Sequence, residues 1–516
     1  MSEIELKFLL DEAGTRKLKS RLKTLEIAVD TPRTRLVRTI YYDTPEQDLR
    51  RNGIAVRMRR DGRRWIQTVK IKARHDVGLA ESAEYDSPAP GGQLHLGAIP
   101  DEAIRDRIVG LVGDKVLEPV CETAMRRISS LLRLQNGAEA ELAIDSGEIK
   151  AAEKAEPFRE AEIELISGGI SALFDLTQTL FPTGGLRFSM MSKAERGYLL
   201  ATEGRVDAPL VPRNAETVPL VRDQSAETAA RDVLRECFEQ IAANAAVVQA
   251  HDDHEGPHQL RIGLRRLRSA FTVFKPLIRN AEMLRLNGEA RWLGQVVGGL
   301  RDLDVAIEDI LDPAAKERPD EPGFEVLRSA IIDRTLETRA AVRETLAGER
   351  CQSFLIDLAR FIETRGWLVA EDFSQTGRLA AAVPDVAVAA LDKRWRSVRR
   401  HAKDIDNLDV PARHELRKEL KKMRYAVEFL GPLWADKKVR AFTKRLKALQ
   451  QVFGDLNDAA MIEHLLMAPD APAANDLQAQ RATGWLLGTR MTRAEADWHH
   501  ARGLWHGLKE LGPFWS

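Results

Sequence analysis

Two segments, HQLRIGLRRLRSAFTVFKPL (residues 258–277) and HELRKELKKMRYAVEFLGPL (residues 414–433), align without a gap at an offset of 414 − 258 = 156 residues. The same offset, 449 − 293 = 156, superposes LGQVVGGLRD (293–302) on LQQVFGDLND (449–458) and pairs Arg291 with Lys447. An internal repeat constrains architecture before any local signal does, because each copy must fold as the other does. Beyond Ser225 almost everything has helical period, broken near DPAAKERPDEPG (312–323) and at a few later loops. The repeat therefore predicts an all-α region of two duplicated helical bundles, each of about four helices, with copies around 222–370 and 380–516.

The repeated segment also carries charge. At about 100° per residue, His258, Arg261, Arg265 and Arg268 fall within an arc of about 80°, opposite Leu260, Leu264, Leu267, Phe271 and Phe274. The second copy sets His414, Arg417, Lys421 and Arg424 against Leu416, Leu420, Met423, Val427 and Leu430. No acid lies between His258 and Phe274, so the first stripe has no i,i+4 partners of its own. A single basic helix face is ordinarily just solvated; two copies holding the same arc point to a bound anion. Metal is a poor fit, since H-x-x-R offers no second ligand at suitable spacing.

Residues 1–203 follow another pattern. Candidate strands are Glu3–Leu10, Leu36–Tyr42, Ala55–Arg60, Trp65–Lys72, Glu139–Asp145 and Arg159–Ile166, separated by turn signals such as Asp61-Gly62 and Asn136-Gly137. Helical patterns appear near 12–27, 101–112 and 170–181. Short connections favour an antiparallel sheet, hence an α+β domain. From Thr202 to Ser225 the chain carries Pro209, Pro212 and Pro219 with little periodicity. The expected division is a first domain over 1–203, a linker over 204–221 and a helical domain over 222–516.

The strands of the first domain hold charges in rows. Glu3, Glu5 and Lys7 share one face of the opening strand; Glu160, Glu162 and Glu164 share a face, as do Glu139, Glu141 and Asp145. Arg57 and Arg59 form one basic row, and Thr68, Lys70 and Lys72 another. One reading is a solvated sheet face with ordinary ion pairs. The other is a closed sheet whose charged face points inward, because like-charged neighbours repel unless something bridges them. Such an interior would take guests of both signs: oxygen-seeking Mg²⁺ or Mn²⁺ on the acids, and a polyanion on the bases, with Arg giving bidentate contacts to phosphate. Together they describe a metal–phosphoanhydride site.

Bulk properties narrow the setting. A chain of 516 residues exceeds one ordinary core. The 78 basic and 78 acidic residues balance, so an anionic partner must be held by local patches. Three dispersed cysteines, Cys121, Cys237 and Cys351, make neither a disulfide framework nor a metal knuckle. No signal peptide is expected, and no stretch reaches the roughly 20 apolar residues of a membrane span. A reduced cytoplasm is the expected location.

Glu3-Ile4-Glu5-Leu6-Lys7 resembles the ExExK signature of the CYTH, or triphosphate tunnel metalloenzyme, family. Tyr42-Asp43-Thr44, Arg57-x-Arg59, Lys70, Glu84, an Arg at 126–127, Asp145, Glu162-x-Glu164 and SKAERGY with Lys193 follow in the family's order. The resemblance implies an antiparallel eight-stranded β tunnel that uses divalent metal, Mg²⁺ or Mn²⁺, to act on a triphosphate. It implies metal ligands at Glu3, Glu5, Asp145, Glu162 and Glu164, and catalytic roles for Glu3, Glu5, Lys7 and Glu164. It implies triphosphate contacts at Lys7, Arg57, Arg59, Lys70, Lys193 and one of Arg126 and Arg127, with Lys72, Glu84 and Glu141 as further tunnel residues. Where an Arg-x-Glu is expected the chain reads Ser82-Ala83-Glu84, a departure that puts one phosphate contact of the family pattern in doubt.

The repeated H-x-x-R-x-x-x-[RK]-[RK]-x-R resembles the CHAD domain, over roughly 222–516, which implies binding of inorganic polyphosphate along a basic groove. His258, Arg261, Arg265, Arg268, His414, Arg417, Lys421 and Arg424 would line it, extended by Arg266, Arg291, Lys422 and Lys447. The two resemblances together imply a cytoplasmic inorganic triphosphatase fused to a polyphosphate-binding module, associated with polyphosphate granules, without a membrane or a sequence-specific nucleic-acid partner. Rival readings are an adenylate cyclase or other organic-triphosphate hydrolase in the same tunnel, and a non-catalytic polyphosphate binder.

Overall fold

The alternating segment at the N-terminus is strand β1 (Ser2–Leu9). It belongs to one sheet with β2 (Arg33–Asp43), β3 (Ile54–Asp61), β4 (Arg64–Asp76), β5 (Leu79–Pro88), β6 (Glu118–Arg133), β7 (Glu139–Ala151), β8 (Lys154–Ser167) and β9 (Arg187–Phe188). These assignments come from a computed structural model that describes residues 2–76, 78–183, 186–189 and 191–515. The strand order is β5-β4-β3-β2-β6-β7-β8-β1-β9, and β1 also pairs with β5. That second pairing of β1, with Glu3 opposite Ser82 and Glu5 opposite Ala80, closes eight antiparallel strands into a ring; the two-residue β9 is an addition on β1. The first unit is thus the antiparallel eight-stranded tunnel.

Its polarity is inverted relative to an ordinary core. Glu3, Glu5 and Lys7 line the interior, while Leu6 and Phe8 on the other face of β1 are fully buried outside the ring. Phe8 packs on Phe181 and Phe188 at 5.3 and 5.4 Å between ring centroids. Outward residues of β3 and β4 (Ile54, Val56, Val69) form a core with Leu49, Ile99, Ile108 and Val112 from the segments that cover them. The apolar effect therefore acts through a jacket of helices, Glu12–Leu22, Glu102–Val112 and Ser171–Leu180 among them, and leaves the interior free for charge.

Besides the two-residue β9, two strands of the ring escaped the sequence reading. β5 (LAESAEYDSP) has small residues, Ala80 and Ser82, where a large apolar one would mark a face, and β6 loses its alternation in the doublets Arg126-Arg127, Ser129-Ser130 and Leu131-Leu132. The helix Lys193–Glu203 also went unread, although Ser192 and Glu195 cap it reciprocally. A Cβ at its Gly197 would collide with Cys121 Sγ of β6, so glycine lets the helix approach the barrel. Tyr198 on that helix donates to buried Asp43 at 2.7 Å, and Asp43 also accepts from the amides of Thr44, Leu49 and Arg50. The Tyr42-Asp43-Thr44 triplet is therefore a latch for the turn after β2.

The chain divides into Met1–Leu210 with Ala347–Thr364, and Val211–Leu346 with Arg365–Ser516. The helix Glu349–Glu363, inside the span 222–516, thus lies with the tunnel. There Gln178 donates to Asp357 at 2.7 Å and Arg360 pairs with Asp175 at 2.8 Å. Residues 205–224 contain neither helix nor strand.

The second unit is helical. Ala226–Ala250, Glu255–Val273, Ala281–Val305 and Gly323–Ala347 recur, near the offset of 156, as Val383–His401, Val410–Leu430, Asp436–Leu466 and Leu477–Leu511. The copies share packing: Leu303, Ile310, Phe324 and Leu327 of the first join Ile462, Leu466, Ala482 and Leu486 of the second in one core. Among the described residues no helix is long and apolar enough to cross a membrane.

Candidate functional site

The strands' alternation turns the charged rows into the wall of a cavity of about 760 Å³. Glu3, Glu5 and Lys7 of β1, Arg57 and Arg59 of β3, and Lys70 and Lys72 of β4 line it, with Glu84 of β5, Arg127 of β6, Glu162 and Glu164 of β8, and Lys193 from the covering helix. Asp145, opposite Arg127 across β6–β7, lies fully buried on the same inward face. Arg126 does not belong to it: consecutive strand residues face opposite ways, so Arg126 is exposed on the outer surface, in a shallow groove with Leu36, Arg38 and Arg60.

The acids divide into two groups. Asp145, Glu160 and Glu162 place oxygens within 4.8 Å of one another, close enough for a metal. Those oxygens are already taken. Lys193 Nζ lies 2.8 Å from Asp145 and 2.9 Å from Glu162 and also contacts Glu160; Arg127 holds Asp145 with two hydrogen bonds of 2.8 and 2.7 Å and Glu162 at 2.6 Å. Burial alone would raise the Glu162 carboxyl, but Lys193, Lys7 and Arg127 hold it well below the usual range. Burial would likewise lower Arg127, and Asp145 and Glu162 keep it well above. In this group Arg127 and Lys193 stand where a metal would otherwise neutralise the three acids. Glu160, fully buried in it, was legible only as one member of an acidic row.

The second group is Glu3, Glu5 and Glu164. Glu164 stands directly opposite Glu5 across β1–β8 and opposite Glu141 across β7–β8. Among the described residues it makes no ion pair. Burial first, then Glu3, Glu5, Glu141 and Glu162, push its carboxyl up to about 7. A row of oxygen donors with an unneutralised member suits a hard divalent cation, so these residues fit the expected metal. Ser82, in the place of the missing arginine, donates to Glu3 at 3.3 Å.

The cations face this group. Lys7 lies 2.9 Å from Glu5 and 3.2 Å from Glu162, which together with Glu160 outweigh burial and hold it well above its ordinary value. Lys70 contacts Glu3, Glu5 and Glu84, and Arg57 pairs with Glu84 at 3.1 Å. Lys72 is half exposed and tied to Glu195 at 3.0 Å. Arg59 has no carboxylate partner among the described residues. The Arg57 charge first, then burial and Arg127, lower it to about 10, and its Nε is buried without a hydrogen bond. An anion would relieve that crowding.

In the helical unit the basic stripes of the two repeats converge. Burial, then Arg265, Arg417, Arg261 and Arg424, push Lys421 down to about 6. Arg417 falls to about 10 through burial and the charges of Arg265 and Arg261, with Asp458 and Asp302 opposing. Among the described residues Arg265, Arg417 and Lys421 have no ion pair, and the buried Nε atoms of Arg417 and Arg424 have no hydrogen-bond partner. Arg261 is engaged by Asp302 at 2.6 Å and the Gly298 carbonyl at 2.9 Å. Burial, Arg291 and Arg265 lower Arg268, and burial with Arg301 lowers His258. His414 feels burial, Lys418 and Arg417. Arg291 and Lys447 are exposed.

Two expected groove residues are otherwise engaged. Arg266, about 100° around the helix from Arg265, is almost fully buried; it donates to Glu428 at 2.7 Å and Gln240 at 2.8 Å and covers the Phe429 ring. Lys422 binds Glu419 at 2.6 Å. Conversely, Arg301 beside His258 was overlooked. It is held loosely by Glu308 and Asp309 at 3.8 and 3.6 Å, and the repeat hid it because its counterpart is Asn457.

Residues 1–198 match the family model of the CYTH domain, and residues 232–467 that of the CHAD domain. An inorganic triphosphatase of Haemophilus influenzae is 32% identical over 168 residues, 32% of this chain; the match spans 45% of that relative's length. An uncharacterised protein of Mycobacterium tuberculosis is 26% identical over 481 residues, covering 87% of this chain and 85% of the relative. Among solved structures, the CHAD domain of the plant Ricinus communis is 26% identical, with a TM-score of 0.49, over 57% of this chain and 96% of that one.

Proposed function

Because the chain joins a CYTH domain (residues 1–198) to a CHAD domain (residues 232–467), we propose that its tunnel hydrolyses inorganic triphosphate with a divalent metal while its helical unit holds inorganic polyphosphate. The observation that carries the first half is the juxtaposition inside one closed sheet of an unneutralised acid, Glu164 beside Glu3 and Glu5, with an unneutralised base, Arg59. The likeness of the tunnel to an inorganic triphosphatase supports the same reading.

Glu3, Glu5 and Glu164 would hold Mg²⁺ or Mn²⁺, which when bound neutralises charge on the phosphoryl oxygens. Arg57 and Arg59 present planar forks to those oxygens, and Arg127, held by Asp145 and Glu162, adds its charge. Lys7, Lys70 and Lys193 add point charges, and Lys72 sits at the exposed rim. Water attacks the terminal phosphorus, the bridging P–O bond breaks, and pyrophosphate and phosphate leave. A carboxylate of the row that the metal leaves free, Glu5 or Glu164, would accept the proton of that water. The groove of Arg261, Arg265, Arg417, Lys421 and Arg424 supports the second half: its cations lack carboxylate partners except for Arg261, so a linear polyanion supplies what the fold omits.

Phosphate release from triphosphate, ATP and thiamine triphosphate, measured with Mg²⁺ on the full chain, tests the substrate. Fastest release from triphosphate is expected. Cyclic AMP from ATP without phosphate release from triphosphate would replace the hydrolase with a cyclase.

A further inference from the structure

The position of Lys70 in the tunnel raises a question about loading. Its Nζ contacts Glu3, lies 3.3 Å from Glu5 and lies 3.1 Å from Glu84, in an interior where its side chain is 20% exposed. Glu3 and Glu5 are two of the three carboxylates that fit a metal, so an ammonium already occupies the space a metal would neutralise. Of the other interior bases, Lys7 also reaches Glu5, at 2.9 Å, but it is shared with Glu162 and has no ion pair with Glu3 among the described residues. Arg127 and Lys193 are committed to Asp145 and Glu162, and Arg59 touches no carboxylate among the described residues. Lys70 therefore competes with a cation for Glu3 and Glu5, and it is also placed on the wall that would meet a phosphate chain. Its four-carbon stem lets the charge move without leaving the cavity, which a rigid fork would not.

We propose that Lys70 is an internal counter-ion that closes the Glu3–Glu5 pair to divalent metal until a phosphate chain draws its ammonium away, so that metal and substrate load together. The inference rests on the reading of the tunnel as a metal–triphosphate site. It makes metal affinity depend on the phosphate chain, and by linkage the chain's affinity depends on metal to the same extent.

The test is titration of Mn²⁺ alone, without any phosphate, into the metal-free full chain, followed by electron paramagnetic resonance and calorimetry. Lys70→Gln and Lys70→Met are expected to bind Mn²⁺ at least about tenfold more tightly than the natural protein, because a like charge has left the site. Lys70→Arg, which keeps the charge, is expected to restore weak binding, and Arg59→Gln to leave Mn²⁺ affinity within about twofold. Circular dichroism establishes that each variant is folded. Equal or weaker Mn²⁺ binding by Lys70→Gln and Lys70→Met overturns the proposal; so does tight binding by Lys70→Arg. If the natural protein releases no phosphate from triphosphate, the hydrolase reading falls, and the Mn²⁺ titration still decides the role of Lys70.

Discussion

Both units gather cations, and they treat them in opposite ways. In the tunnel nearly every base has an acid: Lys7 has Glu5, Lys70 has Glu3 and Glu84, and Lys193 has Asp145. In the helical groove Arg265, Arg417 and Lys421 have none among the described residues, and Lys421 drops to about 6 through burial and the charges of Arg265 and Arg417. The contrast separates a site that must handle charge of both signs from one that must only attract an anion. A closed sheet brings acid and base rows face to face across a short interior. Two basic helix faces brought together by a repeat can offer only more of the same sign, and the missing charge has to come from outside.

The contrast breaks most sharply at the acidic row. Glu5→Gln is expected to cut hydrolysis by about 10²–10³-fold, as removal of a charged group at a reacting centre does, while leaving polyphosphate retention intact; unchanged phosphate release would remove Glu5 from the reaction. Reversing Arg261, Arg265, Arg417 and Lys421 to Glu is expected to weaken polyphosphate retention at least about hundredfold and flatten its salt dependence, without loss of triphosphate hydrolysis. Retention on a polyphosphate column at several salt concentrations measures this.

Opposite pH responses would sharpen the comparison. The folded Glu164 sits at about 7, above the ordinary 4.5, so between those values the unfolded chain binds fewer protons, and stability falls as pH rises through the window. The folded Lys421 sits at about 6, below the ordinary 10.5, so the unfolded chain binds more protons, and stability rises as pH climbs from 6. Melting temperatures of metal-free Glu164→Gln and Lys421→Met against pH should each lose one of these slopes. A polyanion restores the Lys421 proton, so retention should also weaken as pH rises above about 6, and Lys421→Met should blunt that dependence. The smallest effect is expected at Arg126: Arg126→Glu on the outer face should change hydrolysis by less than about twofold, whereas Arg127→Ala should follow Glu5→Gln.

Much of the tunnel was legible because its charges alternate. β1 and β8 state their inward faces in every second residue, and ExExK locates them in the family's order. β5 and β6 were not legible, because Ala80 and Ser82 leave a face without bulk and the doublets of β6 erase its period. The same doublets defeat residue choice: in Arg126-Arg127 and Arg265-Arg266 only backbone geometry says which guanidinium reaches the cavity or groove. The distribution of Asp145 and Glu162 to Arg127 and Lys193 could not be read at all, since pairing across strands depends on register. Nor does a repeat offset reveal that its two copies face each other. It marks Arg261 and Arg417 as equivalent, and the packing makes them neighbours.

The helix Glu349–Glu363 lies with the tunnel although its sequence neighbours on both sides lie with the helical unit. The chain therefore passes from one unit to the other three times, near Leu210, Leu346 and Thr364. A protease that nicks the proline-bearing segment 205–224 would leave a tunnel fragment still gripped by Gln352 and Asp357, through Phe181, Leu186 and Gln178. The two fragments are expected to migrate apart in denaturant and to co-elute without it, because the path of the chain ties them at more places than segment 205–224.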